Sequence, residues 1–155
     1  MKNISKSKLT KFLNAVNEIN TFSTVTKVDG TIFLNDIYKL INGSDGAISF
    51  SLLFYNIGIA TTTKAYLQEV EILGPENGSI NDFTIEKNIN LSGKTLDIFS
   101  SVAVTNLSTP YLPFDFKAVL VIKGGKSTIK YKIENQIKLE NVGDTIFLNQ
   151  SIFFY

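Results

Sequence analysis

The sequence predicts a mainly β domain, an antiparallel sandwich of about seven to nine strands with an N-terminal helix. Three observations predict it. Apolar residues alternate with polar ones at period two over most of the chain after Phe22. Turn signals recur at roughly ten-residue spacing, as short sandwich strands require. Strands do not alternate with long helical segments, so a parallel α/β sheet is disfavoured.

The elements follow in order. Leu9, Phe12, Leu13, Val16 and Ile19 recur at spacings of three and four, which places them on one helical face. Ser5 or Ser7 is a candidate cap. This divides the chain into an N-terminal helical arm, 1–21, and a β-domain, 22–155. The helix either packs over the domain's own sheet or docks on a neighbouring subunit. Thr31–Leu34 is a short apolar run, and Asp36–Ile41 either continues it or forms a helical turn. Asn42-Gly43-Ser44-Asp45-Gly46 is a turn. Ile48, Phe50, Leu52 and Phe54 then share a face opposite Ser49 and Ser51.

A strand spans Thr62 to Leu73, with a phase shift between Leu67 and Val70 that suggests a bulge or burial on both faces. Gly74-Pro75-Glu76-Asn77-Gly78 ends it. Short strands are expected near Phe83–Ile85 and Ile89–Leu91. Leu96, Ile98, Val102 and Val104 share a face, and so do Phe114, Phe116, Ala118, Leu120 and Ile122. The latter run and the alternation of Ile129, Tyr131 and Ile133 flank Gly124-Gly125, which predicts a hairpin on a primed two-residue turn. Thr145–Tyr155 reads as the last strand. Thr31-Ile32-Phe33-Leu34-Asn35 reappears as Thr145-Ile146-Phe147-Leu148-Asn149. Shared turn–strand chemistry explains the echo, or the two strands occupy equivalent edge positions and pair with each other or with partners.

Over Ile48–Val104 the chain resembles immunoglobulin-like β-sandwich modules of the CARDB-like and late-embryogenesis-abundant type 2-like kind. The residues that carry the resemblance are Phe50-Ser51-Leu52-Leu53-Phe54-Tyr55-Asn56-Ile57-Gly58 and Leu91-Ser92-Gly93-Lys94-Thr95-Leu96. It implies an immunoglobulin-like sandwich with a non-catalytic, adhesive role and supplies no functional residues.

Composition narrows the chemistry. The chain has 155 residues, with no Cys, no His and no Trp, and its 15 basic residues are all Lys. Cys and His zinc sites and His-dependent triads are therefore excluded. Without Arg there is no bidentate guanidinium recognition of phosphate or guanine. A net charge of +1 gives no strong pull toward nucleic acid or membrane. No run approaches a membrane span, and the N-terminus lacks the apolar run of a secretory signal. The Asn-, Ile- and Lys-rich, Arg-free composition resembles that of an AT-rich genome.

The remaining constellations have ordinary explanations. Glu69 and Glu71, two apart on an expected strand, would point the same way, as a solvated face does. Asn42–Gly46, Asp29-Gly30 and Gly143-Asp144 offer oxygen atoms, but without an EF-hand's spacing. Gly124-Gly125-Lys126-Ser127 lacks the first glycine and the following helix of a phosphate loop. Lys117, Lys123, Lys126, Lys130 and Lys132 crowd one hairpin with Tyr131 among them, where lysines guard a sheet edge or are simply solvated, the alternatives being an acidic protein partner or a nucleic-acid strand stacked on the aromatic.

The C-terminal Ser151-Ile152-Phe153-Phe154-Tyr155 is unusually apolar for a chain end. It is expected either in the domain's own sheet or against a neighbour. The reading is therefore a non-enzymatic structural or assembly protein, a bacteriophage virion component such as a capsid, neck or tail accessory. It would lie in the virion or cytoplasm and require no cofactor. Its partners are other protein subunits in a homo-oligomer or larger assembly, with no nucleic acid and no membrane. The expected interface residues are Leu9, Phe12, Leu13, Val16, Ile152, Phe153, Phe154 and Tyr155. The alternative is a module binding a small molecule or carbohydrate, with Tyr66 or Tyr111 stacking and Pro110-Tyr111-Leu112-Pro113 as its loop.

Overall fold

A computed structural model describes residues 24–28, 30–105 and 114–155. The arm 1–21 and the loop Pro110–Pro113 lie outside them. The described residues form β1 (Thr24–Val28), β2 (Thr31–Tyr38), β3 (Ala47–Phe54), β4 (Ile59–Leu67), β5 (Val70–Asn77), β6 (Ile80–Lys87), a one-turn helix α1 (Asn88–Leu91), β7 (Thr95–Val104), β8 (Phe114–Lys123), β9 (Ile129–Leu139) and β10 (Thr145–Phe154). Six strands make one sheet in the order β1-β2-β10-β7-β4-β5, and four make the other in the order β6-β3-β8-β9. Neighbouring strands are antiparallel except β2 and β10, which run parallel.

The sheets share a core because alternate residues of each point inward. At one end Leu34, Tyr38, Ile98 and Ile152 of the six-stranded sheet meet Ile48, Phe50, Leu52 and Leu120 of the other. At the opposite end Ile32, Val102 and Leu148 meet Phe116, Ala118 and Ile133. Burying each such large side chain stabilises the fold by about 1.5–3 kcal/mol. Between the two apolar clusters the six-stranded sheet turns polar on three adjacent strands. Thr63, Ser100 and Gln150 point inward there at 0%, 3% and 2% exposure.

Several elements differ from the sequence expectation. The strand expected over Thr62–Leu73 is a hairpin, since Leu67 pairs with Val70 across Gln68 and Glu69. Both turn residues take positive φ, 50° and 69°. That is the geometry of a primed turn built without glycine, so the usual signal is missing. Ile89–Leu91 lies in α1 rather than in a strand. Asp36–Tyr38 continues β2. The Gly124-Gly125 turn is longer than two residues, because Ile122 pairs with Ile129.

The two echoed segments lie side by side. Phe147 pairs with Thr31, Leu148 with Ile32 and Asn149 with Phe33, so the copies run parallel and two residues out of register. Neither is an edge strand.

Candidate functional site

The tail is the foremost interface candidate of the sequence, and β10 draws it into the domain. It lies between β2 and β7, and Ile152 and Phe154 are each 0% exposed. Phe154 packs edge-on against Tyr38 with ring centroids 6.0 Å apart. The Tyr155 amide donates to the Tyr38 carbonyl, and the Lys39 ammonium lies over the Tyr155 ring at 5.7 Å. Ile152 and Phe154 are therefore core residues, whereas Phe153 and Tyr155 are half-buried. Leu9, Phe12, Leu13 and Val16 belong to the arm outside the described residues.

The site that emerges instead is the outward face of the six-stranded sheet. Where Ile32, Leu34, Ile98, Leu148, Ile152 and Phe154 point inward, the intervening Phe33, Phe99, Phe147 and Phe153 point outward. Register collects them. Asn149 lies opposite both Phe33 and Phe99, Phe147 opposite Thr31 and Ser101, and Ser151 opposite Asp97. Tyr66, opposite Asp97, completes the group and meets Phe99 edge-on at 5.8 Å. Phe99 and Phe147 are the most open, at 44% and 49% exposure. The ladders joining β2, β10, β7 and β4 run without a bulge, so the rings stand on one continuous sheet.

The polar groups among the rings are held in place. The Ser151 hydroxyl donates to Asp97 Oδ1 at 2.6 Å, and the Tyr66 hydroxyl donates to Glu71 Oε2 at 3.2 Å. Lys64 lies 3.8 Å from the same Glu71 oxygen. Glu71 is thus engaged within its own sheet, and Glu69 sits in the hairpin turn. The two do not form the same-facing pair that a single strand would have made.

The sequence carried a signal for this face. An aromatic in the polar phase of an alternating strand, such as Phe99 between Ile98 and Ser100, is out of place unless its face has a use. One such residue is unremarkable. Only the strand order shows that several share one surface.

The other candidate sites are occupied by structure. The Gly125 amide donates to the Tyr38 hydroxyl and the Lys126 amide to the Lys39 carbonyl, so neither is free to cradle a phosphate. In the Asn42–Gly46 loop the Gly46 amide donates to Ser44 Oγ, as in ordinary turns. Asp144 Oδ2 accepts from the amides of Asn141 and Glu140, which hold its carboxyl below the usual range. On the lysine-rich hairpin Tyr131 is 4% exposed and unavailable for stacking, while Lys130 and Lys132 point outward. A hydrogen-bonded Lys123 lowers the Asp82 carboxyl, and the two lie 2.9 Å apart.

An open cleft of about 580 Å³ beside the β5–β6 turn is lined by Phe54, Ile59, Thr61, Ser79, Ser101 and neighbours, with no ionisable side chain. Among the described residues no group of three or more His, Cys, Asp or Glu is placed to hold a metal ion. No helix among them is long and apolar enough to cross a membrane.

The interior holds one unusual set of groups. Both amide atoms of Gln150 are buried without a hydrogen-bond partner, and the Tyr131 hydroxyl is buried beside the Asp36 carboxylate. Burial, and then the negative charge of Asp36, raise the Tyr131 phenol above its ordinary value. By contrast, the Thr63 and Ser100 hydroxyls satisfy each other at 2.8 Å.

Comparison of the chain with protein-family models, curated proteins and solved structures finds no match in any of the three.

Proposed function

We propose that this protein is a non-enzymatic structural component that assembles through subunit contacts, with the outer face of the six-stranded sheet as its contact surface. One observation carries the reading. Phe33, Phe99, Phe147 and Phe153 lie on the outward side of a sheet whose other side already fills the core. Aromatic side chains concentrate in protein interfaces because they bury a large area at small conformational cost. The Arg-free, Asn- and Lys-rich composition supports placing the component in a bacteriophage virion, as a capsid, neck or tail accessory.

The strand order supports an immunoglobulin-like frame for this role. β10-β7-β4-β5 follows the G-F-C-C′ order of such sandwiches, and the pairing of β3 with β6 follows that of B with E. In this reading the β8–β9 hairpin is an insertion ahead of the last strand, seated beside β3.

Light scattering across a concentration series tests the assembly reading. The wild-type chain is expected to associate, and Phe99→Ser with Phe147→Ser to weaken association at least tenfold while the fold remains intact. A wild-type chain that stays monomeric at every concentration overturns it.

A second reading has its own observation. Asp97, Asn149, Ser151 and Ser101 lie among the outward rings, which is the mixture of stacking surface and hydrogen-bonding groups that a carbohydrate-binding module needs. Tyr66, already a stacking candidate, is on this face. Glycan-array binding that disappears in the Phe99→Ser, Phe147→Ser variant would favour it, and an empty array would remove it.

A further inference from the structure

We infer that the aromatic outer face is the seat for the N-terminal segment of a neighbouring copy of this chain, whose Leu9, Phe12, Leu13 and Val16 stripe packs onto Phe99 and Phe147. The inference rests on the assembly reading, which selects a neighbour over the segment's own domain.

Four matches support the fit. The first is chemical, since the segment's spacing predicts one apolar helical face and the sheet exposes Phe99 and Phe147 among polar side chains on its far side. An apolar helical stripe must be buried against another element. The second is length. A helix over residues 6–20 would extend about 22 Å at ~1.5 Å per residue. The rings sit on four adjacent strands, β2, β10, β7 and β4, which span about 14 Å at ~4.8 Å spacing, so such a helix is long enough to cover them.

The third match is charge. Residues 1–21 hold Lys2, Lys6, Lys8 and Lys11 against the single acid Glu18. The face holds Asp97, whose carboxylate accepts from Ser151 and has no ion-pair partner among the described residues. The fourth is position. β1 is an edge strand of the six-stranded sheet and its first residue, Thr24, lies opposite Asn35, so the segment's point of attachment is at a rim of that sheet. An arm and a seat on each copy, exchanged reciprocally, close a dimer; passed serially, they build a ring or filament.

The test uses full-length chains throughout. An arm variant, Phe12→Ser with Val16→Ser, keeps its seat, and a seat variant, Phe99→Ser with Phe147→Ser, keeps its arm. Urea unfolding of each reports whether the domain remains folded. The inference expects an assembled wild type, two monomeric variants with near-wild-type midpoints, and a two-chain complex when the variants are mixed at equal concentration. If the arm variant assembles like the wild type, the arm is not the occupant, although the assembly reading survives. If the seat variant does so, the face is not the seat. A wild-type monomer overturns both, and increased dye binding to its arm variant would place the segment on its own domain.

Discussion

The Gly125 amide donates to the Tyr38 hydroxyl at 2.9 Å, joining positions 87 apart in the chain. The same hydroxyl donates to the Ser127 carbonyl, so the β8–β9 loop is latched onto the end of β2. A Cβ at position 125 would lie 2.5 Å from the Tyr38 ring and 2.5 Å from the Lys39 carbonyl oxygen. Gly125→Ala is therefore expected to destabilise the domain by about 1–3 kcal/mol through overpacking. Tyr38→Phe loses the latch without a clash but leaves its partners unpaired, and about 1–3 kcal/mol is expected. Urea unfolding checks both. A wild-type midpoint for Gly125→Ala would mean that the loop does not pack against Tyr38.

Asn88 ties three segments together from a position only 1% exposed. Its Oδ1 accepts from the Ile41 amide, and its Nδ2 donates to the carbonyls of Gly46 and Gly124. Asn88→Ala would leave the Ile41 amide and the Gly124 carbonyl without this partner, while the Gly46 carbonyl keeps the backbone amide of residue 88. A loss of about 1–3 kcal/mol is expected. Chemical denaturation measures it, and hydrogen exchange should rise at Ile41 before it rises in β10.

Gln150 should respond in the opposite direction. Its unpartnered amide atoms oppose folding, so Gln150→Leu is expected to be neutral or stabilising by about 1 kcal/mol. A clear loss would show that these atoms have partners in solution.

Tyr131 sets an alkaline limit. Its phenol is raised in the folded state, above the ordinary value of 10.0 that the unfolded chain retains. The unfolded chain therefore gives up its proton first. The contribution to stability is complete below pH 10.0 and declines as pH rises above that value toward the folded one. Unfolding followed from about pH 9 upward should show a steeper decline in wild type than in Tyr131→Phe, over the range these shifts define.

The β4–β5 turn can be improved. Gln68 and Glu69 hold positive φ, which Asn and Gly adopt at lower cost. Replacing the pair with Asn-Gly is expected to stabilise the domain by about 1 kcal/mol, with thermal unfolding as the measure. A lower melting temperature would show that the turn depends on these side chains.

Period-two alternation made β3, β7, β8 and β10 legible, because it depends only on which way successive side chains point. The hairpin at Gln68-Glu69 was not legible, because its turn residues carry no glycine, and β4 and β5 merged into one expected strand. The outward aromatic face was half legible. Phe99 stands in the polar phase of its strand, whereas Phe33 and Phe147 are hidden in the apolar runs Ile32-Phe33-Leu34 and Ile146-Phe147-Leu148, and nothing local says that their strands are neighbours.

The sequence by itself determined a β domain with two-faced strands, and its lack of Cys, His and Arg closed off the zinc, triad and guanidinium chemistries. The tertiary structure decided where those strands lie. It seated the apolar tail inside the sheet, placed the two Thr-Ile-Phe-Leu-Asn segments side by side, and gathered the outward rings on one surface. The division has a physical cause. Alternation is a local property of the backbone, whereas strand order is set by burial and hydrogen bonding between residues more than a hundred positions apart.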